Sequence, residues 1–208
     1  ALFMFSLLIH RLFVLQIVKG KDYQENYTML IERTREVAAT RGNIYDRNNV
    51  LLAYNELAYS ITMVDEGNYS SDIQNKVLNE TAAKMIQIIE KNGDSIDNEF
   101  HIKYKDGTYS YDVEDTQKLR FLADIFGKKT IDLLKFDSKL GFNQATVSAK
   151  KMIDYFAGEH KYEISKKYDE AMRYKIIVVR YALSQNFYRK YIPSTIATGV
   201  SDETVAAI

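Results

Sequence analysis

Hydrophobic and polar positions divide the chain into stretches of different period. Residues 1–18, ALFMFSLLIHRLFVLQIV, are apolar nearly throughout, interrupted only by Ser6, His10, Arg11 and Gln16. A membrane-spanning helix needs about 20 mainly apolar residues. This run of 18 therefore reads as the end of a membrane anchor, with an amphipathic or buried helix as the alternative. No small-residue cleavage site follows, which argues against a signal peptide. Lys19-Gly20-Lys21 marks the expected exit from hydrocarbon, with Tyr23 and Tyr27 at headgroup level. Residues 22–38 are polar, mixed in charge and without a clear period, and read as a stalk.

Beyond the stalk, short extended segments give way to helical spacing. Asn48-Asn49 separates Ile44-Tyr45 from Val50–Ala53, and asparagine tolerates the positive φ of a hairpin turn. Ala58–Val64 is β-branched and aromatic, as a strand requires. Ser71-Asp72 offers an N-cap for a helix carrying Ile73, Val77, Met85, Ile86 and Ile89, which Gly93 is placed to end. Phe100, Ile102 and Tyr104 alternate with polar residues up to Asp106-Gly107, and Tyr109, Tyr111 and Val113 alternate after it. That is the strongest short-range hairpin signal. Helices are expected over 116–126, closed by Gly127, over 146–157, closed by Gly158, and over 168–189, with Asp169 near its cap. Pro193 interrupts the chain, and Ser201-Asp202-Glu203-Thr204 supplies the cap and first-turn acids of a last helix. The fold class is α+β, with strands near the start and helices dominating later.

Composition narrows the function classes. Lys plus Arg and Asp plus Glu are equal at 28 each, so no net field favours nucleic acid. The absence of cysteine excludes disulfides, thiolate zinc sites and thiol catalysis. The 46% apolar content and 12% aromatic content describe a chain that folds. His10, His101 and His160 fall in different elements with no partner at metal-ligand spacing, and no phosphate-binding glycine pattern occurs. Neither a metal nor a cofactor is expected.

One set of near-matches has the order found in penicillin-recognising serine enzymes. Ser148-Ala149-Lys150-Lys151 fits Ser-x-x-Lys, Ser184-Gln185-Asn186 fits Ser-x-Asn, and Ala197-Thr198-Gly199 stands where Lys-Ser/Thr-Gly belongs. The third triplet lacks its lysine, the intervals are too short for a catalytic domain, and Ser184 falls inside a helix. The set reads as coincidence. A miniature serine acyltransferase using Ser148 and Lys151 is the reading it would otherwise support. Asp46, between Arg41 and Arg47, likewise has no general base or metal partner nearby in sequence. It reads as an ion-paired, hydrogen-bonded brace, with Gly42 allowing a close backbone approach.

The string RGNIYDRNNVLLAYN, Arg41 to Asn55, resembles the Arg-Gly-x-Ile-x-Asp-Arg-Asn-Gly-x-x-Leu-Ala motif of class B penicillin-binding proteins. These are the bitopic peptidoglycan transpeptidases of bacterial elongation and division. Arg41, Gly42, Ile44, Asp46, Arg47, Asn48, Leu52 and Ala53 match, while Asn49 replaces the usual glycine. RLFVLQIVKGKDY is similar to the family's membrane exit, KIIVVRYALSQNFYRKYIPSTIATGVS to its return segment, and VSDETVAAI to the helix leading into the catalytic half.

The resemblance implies a non-catalytic pedestal, or dimerisation domain, in four parts. These are an anchor-helix end over 1–18, a stalk and base strands over 19–64, a helical head with a hairpin over 65–165, and a return segment over 166–208. It implies that the transpeptidase domain, with its active serine, lies beyond Ile208 in the parent protein. It also implies a single-pass place in the bacterial cell membrane, with the pedestal on the extracytoplasmic face. The implied partners are that transpeptidase domain, the membrane and a SEDS-family glycosyltransferase of the RodA or FtsW type; the domain's common name adds a homodimer. Contacts to the glycosyltransferase and membrane would come from Arg11, Leu12, Leu15, Gln16 and Tyr23. A free-standing membrane-tethered interaction or sensor protein with the same fold is the alternative.

Overall fold

The computed structural model describes residues 2–21, 42–54, 58–65, 67, 69–70, 72–186 and 192–208. The chain divides into two compact units, 1–56 and 57–208. This division puts the strand at 59–63 with the second unit rather than with the base strands that precede it.

The first unit begins with helix α1 (Leu2–Phe13), which continues as one π-helical stretch over Val14–Val18. Among the described residues no helix is long and apolar enough to cross a membrane. The unit's other described element is a hairpin of β1 (Ile44–Tyr45) and β2 (Leu51–Ala53), paired antiparallel with Ile44 opposite Ala53. Asn49 sits at φ 62°, the left-handed conformation expected of the turn. No described residue of this unit is buried. Val37 and the rest of the stalk lie outside the described residues, as do Tyr23 and Tyr27.

The second unit holds the core. Helix α2 (Gln74–Lys91) buries Leu78, Ala82, Met85, Ile86 and Ile89, a spacing of three and four that lines one helical face. It starts later than the Ser71-Asp72 signal implies. Ile73 occupies the cap position without a side-chain bond, because Asp72 bonds back to Ser70 in the preceding turn; Ser71 lies outside the described residues. At the other end Gly93, at φ 86°, allows Asp94 N–H to reach the Ile89 carbonyl at 3.1 Å and its own N–H to reach that of Glu90 at 3.1 Å. This pair of bonds satisfies two terminal carbonyls.

Strands β4 (Ile102–Lys105) and β5 (Thr108–Tyr111) form the expected hairpin, with Asp106 and Gly107 both at positive φ as a type I′ turn requires. Helix α3 (Asp115–Ile125) ends at Gly127 by the same pair of bonds as α2. A 3-10 turn (Ile131–Leu133) and a minimal hairpin of β6 (Phe136–Asp137) and β7 (Phe142–Asn143) follow, none of them anticipated from sequence. Helix α4 (Ala149–Ala157) is capped by Ser148, three residues later than expected, and ends at Gly158 in extended rather than left-handed backbone.

Helix α5 (Glu170–Gln185), capped by Asp169, is the centre of the unit. It is buried continuously from Ile176 to Arg180, because α2, α4 and strand β8 (Ser194–Val200) pack against different sides of it. Strand β3 (Tyr59–Met63) pairs antiparallel with β8, turning Ile61, Met63, Ile196, Ala197 and Val200 inward. Phe100 meets Phe156 edge-on at 5.2 Å and Phe121 at 5.8 Å, which links the hairpin, α4 and α3. The chain closes with α6 (Asp202–Ala207), capped by Ser201.

Candidate functional site

The motif of residues 41–53 is a self-contained turn. Asp46 Oδ1 accepts the N–H of Asn48 at 2.7 Å and of Val50 at 2.8 Å. Its own backbone pairs with Val50 at 2.9 Å, and Asn49 N–H returns to the Asp46 carbonyl at 3.1 Å. The carboxylate thus organises the β1–β2 connection through main-chain donors. Among the described residues it forms hydrogen bonds to main-chain donors and no ion pair with Arg47; Arg41 lies outside those residues. Among the described residues nothing lies within 4 Å of where a Cβ on Gly42 would stand. Ile44, Tyr45, Leu51 and Leu52 are exposed, and Ala53 with them. In α1 and its extension Arg11, Leu12 and Gln16 are exposed and Leu15 is half-buried, while Tyr23 lies outside the described residues.

Two polar clusters in the second unit escaped the sequence reading. In the first, Asp94 accepts bonds from Ser201 N at 3.0 Å, Ser201 Oγ at 2.7 Å and Thr204 Oγ1. The Thr204 hydroxyl, then Ser201, holds the Asp94 carboxyl below the ordinary aspartate range. The cap of α6 is thereby tied to the end of α2, and Thr204 is completely buried. Asp97 extends the attachment, its N–H bonding the Ile196 carbonyl at 2.7 Å and its carboxylate accepting from Thr198 at 3.2 Å.

In the second cluster Arg180 is buried with neutral hydrogen-bond acceptors, and the charge of Asp65 acts on it. Its guanidinium donates to Asn79 Oδ1 at 2.9 Å, Asn75 Oδ1 at 2.9 Å and the Asn75 carbonyl at 3.4 Å, and stacks over the Tyr162 ring at 4.8 Å. Asn79 Nδ2 completes the link by donating to the Tyr162 carbonyl at 2.8 Å. Burial lowers the Arg180 pKa and raises that of Tyr162 to about 12. Nearby, Asp65 accepts from Tyr69 Oη, from Gln74 at 3.0 Å and from Gly67 N at 3.1 Å; burial and Asp65 push Tyr69 up to about 12. Neither cluster was legible because each joins residues about a hundred positions apart.

The serines of the near-match motifs have structural roles. Ser148 Oγ accepts the backbone N–H of Lys151 as a helix cap, and Ser184 Oγ donates to the Tyr181 carbonyl within α5 at 2.7 Å. The two are on different helices, and Ala197 is buried in β8. His101 pairs with Asp112 at 3.0 Å on the hairpin, and His160 stacks on Tyr155.

The family model for the penicillin-binding protein dimerisation domain matches residues 36–208. The chain belongs to that family. A search of curated proteins finds no match. The matched span takes in the 41–53 motif and the whole second unit, and leaves α1 outside it. A dimerisation domain is non-catalytic, and in this one the polar chemistry of the described residues joins elements together. The β1–β2 turn, the Asp94 tie and the Arg180 cluster are all joints.

Proposed function

We propose that this dimerisation domain is the pedestal of a bacterial class B penicillin-binding protein, positioning a D,D-transpeptidase domain for peptidoglycan cross-linking. In this reading α1 is the end of a single-pass anchor, and the pedestal stands on the extracytoplasmic face. Arg11, Leu12, Leu15, Gln16 and Tyr23 meet a SEDS-type glycosyltransferase and the membrane, and a second copy of the domain is a further partner. The observation that carries the reading is the Asp94 tie. Three bonds fix the start of α6 on the body of the domain, so a domain following α6 would inherit a defined direction. A free hydrophilic linker would need no such attachment.

The test is Asp94→Ala in the parent protein. Cross-linking of membrane-supplied substrate should fall several-fold, while acylation of the active serine by a fluorescent penicillin stays at the wild-type rate. Equal loss of both, or of neither, contradicts a positioning role. The chain of 208 residues should itself take up no fluorescent penicillin; labelling at Ser148 would establish the acyltransferase reading instead.

A further inference from the structure

The stretch from Lys128 to Asn143 has a surface unlike the rest of the second unit. Phe136, 61% exposed, is the most exposed large apolar side chain described there, and Leu133 is 49% exposed. Their neighbours hold both outward. Leu134 is buried and its N–H bonds the Ile131 carbonyl at 3.1 Å, which pins the 3-10 turn to the body. In the β6–β7 hairpin Asp137 stands opposite Phe142, whose ring lies against Phe126 and Tyr155, so Phe136 and its partner Asn143 take the outer face. The Asp137 carboxylate closes the turn, accepting from Lys139 N at 2.9 Å, Leu140 N at 3.3 Å and Gln144 Nε2 at 3.2 Å. Phe136 thus stands on a fixed turn, and little order has to be gained when it is covered.

Lysines surround these two residues. Lys129, Lys135 and Lys139 are exposed and Lys128 is half-buried, and none forms an ion pair among the described residues. Lys135 adjoins Phe136 and Lys139 lies in the same turn, so their long stems can carry both ammoniums to the level of its ring. The acids of the stretch are Asp137, engaged in the turn, and the exposed Asp132. In a chain of zero net charge, four lysines against two aspartates is a local excess. The cavities beside α5, of about 310 to 470 Å³, are lined by none of these residues. A peptide needs a groove for its anchoring side chains, whereas a bilayer takes up a protruding apolar residue without one.

We propose that this surface, Leu133 and Phe136 ringed by Lys129, Lys135 and Lys139, rests on an anionic lipid bilayer. Phe136 and Leu133 enter the boundary between headgroups and acyl chains, and the lysine ammoniums lie among the lipid phosphates. Charge complementarity selects the occupant: unpaired cations around an apolar tip match an anionic surface over an apolar interior. Nothing in this surface depends on the pedestal reading, and α1 is the same in every variant that tests it.

The test holds the full chain in discs of neutral phosphatidylcholine and measures co-sedimentation with vesicles added in excess. Phosphatidylglycerol-rich vesicles should carry the chain down, and phosphatidylcholine vesicles should not. Changing Lys129, Lys135 and Lys139 together to Gln should weaken the association about a hundredfold. Phe136→Ser should weaken it about tenfold. All four positions are exposed, so thermal melting of the second unit should stay at the wild-type value in both variants. About 1 M salt, where the Debye length falls to about 3 Å, should abolish the association. Equal association with neutral and anionic vesicles, no association with either, or association unchanged in the triple lysine variant overturns the proposal. Binding of an alternating Glu-Leu peptide at these residues, with vesicles left unbound, overturns the lipid assignment in favour of a protein partner.

Discussion

The two units of this domain use apolar residues in opposite ways. In the second, Phe100, Ile86, Ile89, Leu122, Met152, Phe156 and Ile176 have essentially no contact with solvent, and the helices close over them. In the first, Phe3 is 78% exposed, Leu8 68% and Leu52 65%, and the apolar residues of α1 lie on every side of the helix. Water removal is worth roughly 25 cal/mol per Å² of apolar surface. The second unit gains that within itself; the first leaves it for something else to supply. Apolar exposure on this scale marks an interaction surface rather than a stable free surface. Buried and exposed apolar residues are therefore separated along the chain.

Mutations break or sharpen this contrast in a definite order. Phe156→Ala should cost about 3–5 kcal/mol in chemical denaturation, since it empties the centre of the aromatic cluster. Asn79→Ala comes next, at about 2–3 kcal/mol, because it strips a buried Arg180 of an acceptor and α2 of its bond to Tyr162. Asp94→Asn should lower stability at neutral pH and release α6, seen as faster amide exchange at 202–207. Its sign with pH follows from the depressed carboxyl. The stabilisation is complete above the unfolded value of about 4 and is lost as pH falls through the lower folded value. Wild type should therefore carry an acid-dependent loss below pH about 4 that Asp94→Asn lacks.

Asp46→Ala should cost about 1 kcal/mol, confined to the hairpin. Exchange at Asn48 and Val50 should rise while the melting of the second unit stays put. Smallest of all, Leu52→Ala should change stability by less than about 0.5 kcal/mol despite removing a large apolar side chain. A cost for Leu52→Ala equal to that for Phe156→Ala would end the distinction between the units.

What the sequence disclosed depended on how local each signal was. The Asp106-Gly107 turn, the Gly127 stop and the Ser201 and Asp169 caps are written in adjacent residues, and each forms where expected. The sequence suggested that Asp46 is a brace; among the described residues its carboxylate accepts amides two and four residues on, bonds that no pattern of charges announces. The β6–β7 hairpin left no trace because strands of two residues have no period to detect. The pairing of β3 with β8, and the bonds from Arg180 to Asn79 and from Thr204 to Asp94, span about a hundred residues or more. Arg180 directly follows the apolar run Ile176–Val179, and only the fold shows that asparagines lie opposite it.

Hydrogen exchange of the full chain, in detergent and then in a lipid bilayer disc, tests this separation of roles most directly. The account predicts that transfer to the bilayer slows exchange through residues 2–18 while the core helices α2 and α5 exchange at the same rates in both. Equal exchange of residues 2–18 in the two environments, or new protection confined to the second unit, would contradict it.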